Sequence, residues 1–155
     1  MTLLAWSDQL ALGNAEMDAT HREFVDLLNA FGAAEGEAML PGLDAFIAHT
    51  EAHFAQEEAW MEAKQFPPLG CHRAEHANIL EVVRDVRNRV AGGEHHYGRT
   101  LAEALAEWFP VHACSKDAML ALFLENPDVF RNTGSCGDPE HVCDHHGAEH
   151  HAAGE

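Results

Sequence analysis

Two short spacings in the sequence bring together residues that can bind a metal ion. His53 stands four residues before Glu57, and His72 stands four residues before His76. Residues four apart lie on one face of an α-helix, with about 5–6 Å between their β-carbons. Each pair could therefore offer two ligands to one ion or to two adjacent ions. Three further candidates of the same residue types lie in other segments: His21, His112 and Asp117.

These seven candidates fall on or beside the apolar stripes of their segments. Around His53 and Glu57, for example, the apolar residues at helical spacing are Phe46, Phe54 and Met61. Buried imidazoles and carboxylates are costly unless they are paired, protonated or bound to metal. No Lys or Arg shares these stripes near them. A lone inward histidine is more often a hydrogen-bonded core residue, but seven such groups on four stripes indicate a metal site.

The donor types narrow the metal chemistry. Five imidazoles and two carboxylates exceed what one tetrahedral zinc ion needs. Mixed imidazole and carboxylate ligation suits iron or manganese better than the metals that prefer thiolates. A carboxylate can also bridge two cations, which an imidazole cannot do. The residues therefore favour a dinuclear, carboxylate-bridged centre.

The segments that must position these residues all show helical periodicity and end at Gly or Pro. Four helices of similar length joined by short links predict an all-α fold, an antiparallel up-down four-helix bundle. The predicted bounds are about Asn14–Phe31, Pro41 to the residue before Pro67, Cys71–Val90 and Arg99–Leu124. His95 and His96 are expected in a solvated loop between two glycines.

The fourth helix raises two questions. At about 100° per residue, Asp117 lies about 140° round the helix from His112, so its carboxylate is expected to reach in from the flank. Pro110 removes a helical hydrogen bond two residues before His112 and is expected to kink the helix there.

The bundle is assigned to residues 14–131, between two segments of different character. Residues 1–13 form an N-terminal arm whose leucines and Trp6 could pack on the bundle. Residues 132–155 contain no Leu, Ile, Phe, Met, Lys or Arg and are expected to be a flexible, disordered His/Cys-rich tail. The tail could bind an extra soft or borderline metal ion, although it matches no fixed zinc spacing.

Charge and hydropathy exclude several classes of partner. The formal net charge of -17 over 155 residues disfavours nucleic-acid phosphates and anionic membrane surfaces. The chain has neither a signal-peptide pattern nor an apolar run long enough for membrane insertion, so a cytoplasmic location is expected. In that reducing compartment the four cysteines are expected to be thiols.

Longer motifs surround the candidates: Trp6-Ser7, Met17-Asp18-Ala19-Thr20-His21, His53-Phe54-Ala55-Gln56-Glu57-Glu58, His72-x-x-x-His76 and Trp108-x-x-x-His112-x-x-x-x-Asp117. Together they resemble the hemerythrin and bacteriohemerythrin family, over residues 6 to 124. The resemblance implies a non-haem di-iron protein with a hydroxo or oxo bridge. It assigns His72, His76 and His112 to one iron, His21 and His53 to the other, and Glu57 and Asp117 to both.

The same resemblance implies reversible O2 binding at the open position of the second iron, for storage, transport or delivery, and not enzymatic activity. An O2-consuming enzyme would then be a natural partner. The alternatives are a di-iron enzyme acting on peroxide or nitric oxide, and an oxygen or iron sensor acting through a separate partner. A ferritin-like oxidase is disfavoured because no glutamate stands three residues before any histidine.

One departure from the family pattern concerns the oxygen pocket. Ala113 and Cys114 follow His112, where the family commonly has a bulky aliphatic residue. We expect a roomier pocket and a faster loss of the oxygenated state.

Overall fold

The computed structural model describes residues 2–130, and this part of the chain forms an all-α four-helix bundle. The bundle prediction is therefore confirmed. Each helix packs against the next along the chain, and the first also packs against the fourth. The helices are α1 (Ala15–Ala33), α2 (Met39–Ala63), α3 (Leu69–Ala91), α4 (His95–His112) and α5 (Ala118–Glu125), with 3-10 turns at Gly36–Ala38 and Pro127–Phe130.

The fourth bundle helix is composite. A π-helical turn, Ala113–Asp117, joins α4 to α5. Pro110 lies inside α4, which continues as far as His112. The irregularity in this helix therefore falls after Pro110, in the residues that lead to Asp117.

The predicted loop at His95 and His96 is wrong, because α4 begins at His95. Gly98, which suggested a loop, lies in the first turns of that helix and is buried. A β-carbon at this position would overlap the sulfur of Met39. Glycine here permits a close approach of α4 to α2, whereas the chain reversal is made at Gly93, where φ is +96°.

The segment before α1 is held on the bundle by polar contacts as well as apolar ones. The backbone N–H groups of Leu3 and Leu4 donate to Oδ1 of Asn29, and Nδ2 of Asn29 donates to the carbonyl of Leu4. Leu3, Leu4 and Trp6 pack against the core, and Arg22 lies over the Trp6 ring. The segment thus lies along α1, with contacts from Arg22 to Asn29.

Several expectations concern the ends and the surface of the chain. The predicted tail and its metal site lie outside the described residues. Within residues 2–130, no helix combines the length and apolar character that a membrane span requires.

The expectation that every cysteine is a thiol is wrong for Cys71, which is disulfide-bonded. That residue is exposed near the start of α3.

The core consists of two apolar clusters separated by a polar layer. The larger cluster includes Phe24, Phe46 and Phe109, and the smaller includes Met61 and Leu120. The seven candidate ligands lie between them along the helices. Because apolar side chains close the layer on both sides, any charge in it must be balanced within the layer.

Candidate metal centre

All seven candidate ligands meet in one buried layer. His21 comes from α1, and α2 and α3 each contribute a pair of residues four positions apart. His112 ends α4 and Asp117 ends the π-helical turn. The exposed fraction is 3% or less for every one of them: His21, His53, Glu57, His72, His76, His112 and Asp117.

The Glu57 carboxylate divides its two oxygens between two groups of histidines. Oε1 lies 2.8 Å from Nε2 of His53 and 3.4 Å from Nε2 of His21. Oε2 lies 3.2 Å from Nε2 of His76 and 3.4 Å from Nε2 of His72. One carboxylate therefore faces both groups.

The two carboxylate oxygens of Asp117 are also divided between the two groups of histidines. Its Oδ1 lies 3.0 Å from Nε2 of His72 and 3.1 Å from Nε2 of His112, while its Oδ2 lies 3.2 Å from Nε2 of His21. The residues thus form two sets with shared carboxylates, and the ligand atoms in each set lie within 4.8 Å of one another. We call them the three-histidine half (His72, His76, His112) and the two-histidine half (His21, His53).

Several of these buried atoms have no hydrogen-bond partner. They include Nε2 of His72, His76 and His112, Oε2 of Glu57 and both carboxylate oxygens of Asp117. They lie close together, yet the angles do not make hydrogen bonds. Buried polar atoms are normally paired, and a cation between them would satisfy imidazole and carboxylate lone pairs together. The donor set therefore fits a metal site.

The carboxylates also change the proton affinity of the imidazoles. Burial lowers the pKa of His21, but the adjacent carboxylates of Asp117 and Glu57 outweigh it and raise that pKa to about 9. Burial is likewise outweighed at His112, whose pKa rises to about 10, chiefly because of Asp117. Burial and Glu57 raise the pKa of Asp117, but His112 and His21 together hold it well below its usual range. Metal ions would therefore compete with protons for the imidazole nitrogens.

The prediction that Asp117 reaches in from the flank of a regular helix is wrong. The turn Ala113–Asp117 is a π-helix, in which hydrogen bonds span five residues instead of four. The wider turn brings the fifth residue after His112 back to the same side of the helix. Ser115 supports the turn, because its hydroxyl donates to the carbonyl of Val111 at 2.6 Å.

Two further carboxylates that the sequence did not assign contact the outer nitrogens of the ligand rings. Nδ1 of His112 lies 2.8 Å from Oε1 of Glu75, and Nδ1 of His76 lies 3.3 Å from Oε1 of Glu58. Both glutamates are partly exposed. Glu75 directly precedes His76 in α3, but only the position of α4 beside α3 reveals its contact.

Aromatic rings line the layer. The Phe109 ring is edge-on to His21 at 5.2 Å and stacks on Phe24 at 4.3 Å. Phe54 stacks on His76 at 3.8 Å. Ala113 is fully buried in the same cluster as Phe24 and Phe109. These side chains provide an apolar wall beside both halves of the centre.

Two residues near the centre point elsewhere. Cys114 is partly buried, with its sulfur 3.8 Å from the backbone oxygen of Gln9, so it faces the N-terminal segment. His49, one turn before His53, donates from Nε2 to the carbonyl of Thr20 at 3.1 Å. It therefore links α2 to α1 beside the two-histidine half without joining the ligand sets.

The comparisons with known proteins agree with this geometry. A family model described as the hemerythrin HHE cation binding domain matches residues 12–123. A bacteriohemerythrin of Ralstonia nicotianae is 50% identical, with 83% of this chain and 96% of that protein covered. Bacteriohemerythrins of Stenotrophomonas maltophilia (30% identical, 78% and 81% covered) and Methylococcus capsulatus (26%, 77% and 95%) are also similar. The chain therefore belongs to the hemerythrin and bacteriohemerythrin family.

Proposed function

We propose that this protein holds two iron ions in the buried layer and binds O2 reversibly at one of them. His72, His76 and His112 would hold one ion, His21 and His53 the other, and Glu57 and Asp117 both. The observation that carries the proposal is the division of each carboxylate, with one oxygen toward each half. Carboxylates divided in this way would offer one oxygen to a cation in each half.

The unequal number of histidines supports a specific position for the oxygen. The two-histidine half offers one protein ligand fewer than the three-histidine half. A metal there would keep a coordination position that no side chain fills. Two Fe(II) ions would supply the electrons that reversible O2 binding requires.

The chain's own residues supply charge balance and exclusion of water. Glu57 and Asp117 are both held ionised by the surrounding imidazoles, so they bring two negative charges to two cations. Phe24 and Phe109 lie on the side of the two-histidine half and keep its surroundings apolar. An apolar wall disfavours the departure of charged oxygen species from the centre. It therefore favours the release of neutral O2.

This proposal describes a binding protein and not an enzyme. Its relatives carry the name bacteriohemerythrin, which supports a place for this chain among oxygen-binding proteins. An O2-consuming enzyme in the cytoplasm would be the recipient of the oxygen that the protein releases.

The test is anaerobic reconstitution of the full chain with Fe(II), followed by cycling between air and argon. We expect two irons per chain and a visible absorption band that appears in air and disappears under argon. Irreversible oxidation without a reversible band would overturn O2 carriage and favour an enzyme acting on peroxide or nitric oxide.

A pair of histidine variants distinguishes ligands from neighbours. His53→Ala is expected to lose the iron of the two-histidine half and the reversible band. His49→Ala is the matched control, since it lies one turn away on the same helix and outside the ligand sets. It is expected to keep both irons. Equal iron content in the two variants would contradict the ligand assignment.

A further inference from the structure

Glu75 connects the three-histidine half to the outside of the bundle. One of its oxygens, Oε1, accepts from Nδ1 of His112 at 2.8 Å and from Nε1 of Trp108 at 3.2 Å. Glu75 lies on α3, and both of its partners lie on α4. A single carboxylate thus ties a ligand ring to the neighbouring helix.

The same indole also restricts the ligand ring by stacking. The Trp108 and His112 rings are 4.5 Å apart with an angle of 24° between their planes. Stacking sets the plane of the imidazole, and the bond to Glu75 sets its rotation within that plane. Nε2 of His112 is thereby directed at Oδ1 of Asp117, 3.1 Å away.

We propose that Glu75 is a positioning residue that orients His112 for metal binding in the three-histidine half. This inference rests on the proposed two-metal site. By accepting the Nδ1–H, Glu75 selects the tautomer in which the Nε2 lone pair faces the metal. Carboxylates that hold the outer nitrogen of a ligand histidine also increase its basicity as a ligand.

The other ligand rings provide an internal comparison. His76 has a longer contact, 3.3 Å, with Glu58, and Glu58 is shared with Arg73. The outer nitrogens of His21, His53 and His72 have no hydrogen-bond partner among the described residues. Carboxylate support is therefore strongest at His112, and it is confined to the three-histidine half.

The experiment is a titration of the metal-free full chain with Co(II), which reports two dissociation constants through its visible absorption. Glu75→Ala is expected to weaken one of them by about 10- to 100-fold and to leave the other unchanged. Glu75→Gln keeps an acceptor oxygen and should rescue part of the loss. Trp108→Phe keeps an aromatic ring and the bond between Glu75 and His112, so it should have a smaller effect. Glu81→Ala, at an exposed position of the same helix, is the control.

A second readout does not depend on metal. In NMR spectra of the metal-free protein, the Nδ1–H resonance of His112 should move upfield in Glu75→Ala and stay in place in Glu81→Ala. An unmoved resonance, or an equal weakening of both Co(II) constants, would overturn the positioning role. A wild-type chain that binds fewer than two metal ions would instead overturn the proposed function, while the resonance still decides the role of Glu75.

Discussion

Nε2 of His112 lies 3.1 Å from Oδ1 of Asp117, although the two residues are five positions apart in one helix. A regular α-helix would place them about 140° apart round its axis. The π-helical turn between them removes this offset. The centre therefore depends on a local departure from α-helical geometry, and this departure needs stabilisation of its own.

Ser115 provides a test of that stabilisation. Its hydroxyl donates to the carbonyl of Val111 inside the composite helix, and the residue is buried. Ser115→Ala should lower the free energy of unfolding of the metal-free protein by about 1 kcal/mol, the usual value for one lost hydrogen bond. It should also weaken metal binding, because Asp117 would no longer be held beside His112. Urea unfolding and Co(II) titration measure the two effects.

Thr100→Ala is the matched control for this change. Thr100 makes the same type of bond, from its hydroxyl to the carbonyl of His96, but it is exposed and lies in a regular part of α4. The control should leave metal binding unaltered. If both variants bind Co(II) as wild type does, the hydroxyl of Ser115 has no part in placing Asp117.

How far the sequence could predict the centre depends on the kind of information each residue carries. His53, Glu57, His72 and His76 could be placed from helical spacing alone, because each pair shares one face of one helix. Asp117 was identified as a candidate, but its orientation could not be predicted, since the spacing rule assumes a regular helix.

Glu75 could not be assigned for a different reason. It lies beside the ligand stripe of α3, and its contact with His112 requires the packing of α4 against α3. Similarly, Gly98 has the sequence signature of a loop, and only the proximity of Met39 explains a glycine within α4. The roles of both residues depend on contacts between helices. The spacing pattern within a single helix does not reveal such contacts.

The raised pKa values predict how stability depends on pH without metal. His21 and His112 have pKa values of about 9 and about 10, above the ordinary 6.5. The contribution of these protonated imidazoles to the free energy of unfolding is fully present below about pH 6.5. It is lost as the pH rises through 9 and 10. The metal-free protein should therefore become less stable from pH 6.5 to 10. Urea unfolding in the presence of a chelator measures this change.

Asp117→Asn provides the comparison for the pH effect. The carboxylate is a principal cause of both raised pKa values, so its removal should flatten the dependence on pH. Metal affinity should show the opposite trend in the wild type and rise with pH, because metal ions replace protons on the imidazoles. An equally steep loss of stability in Asp117→Asn would show that other groups cause it.

The buried position of Ala113 allows a test of the oxygen pocket. Ala113 lies in the cluster with Phe24 and Phe109, beside the two-histidine half, whereas Cys114 faces Gln9. Ala113→Leu should slow the loss of the oxygenated state in the iron-loaded protein, because the larger side chain excludes water. Overpacking should lower the free energy of unfolding by about 1–3 kcal/mol. The decay of the visible band in air measures the first effect.

Cys114→Val adds bulk at the next position and is the control for this prediction. Since its side chain faces the N-terminal segment, the decay should match that of the wild type. If Ala113→Leu decays as fast as the wild type, pocket size at residue 113 does not limit the lifetime of the oxygenated state.

The attachment of the N-terminal segment can be tested at Asn29. Its amide makes three hydrogen bonds to the backbone of Leu3 and Leu4, so Asn29→Ala leaves these groups without their partner. We expect a loss of about 1–3 kcal/mol in the free energy of unfolding. Amide hydrogen exchange should also increase at Leu3 and Leu4. Asn88→Ala makes the same substitution at an exposed position of α3, and it should be neutral or slightly stabilising because alanine favours helix. Unchanged exchange in Asn29→Ala would mean that the apolar contacts of Leu3, Leu4 and Trp6 hold the segment without the amide.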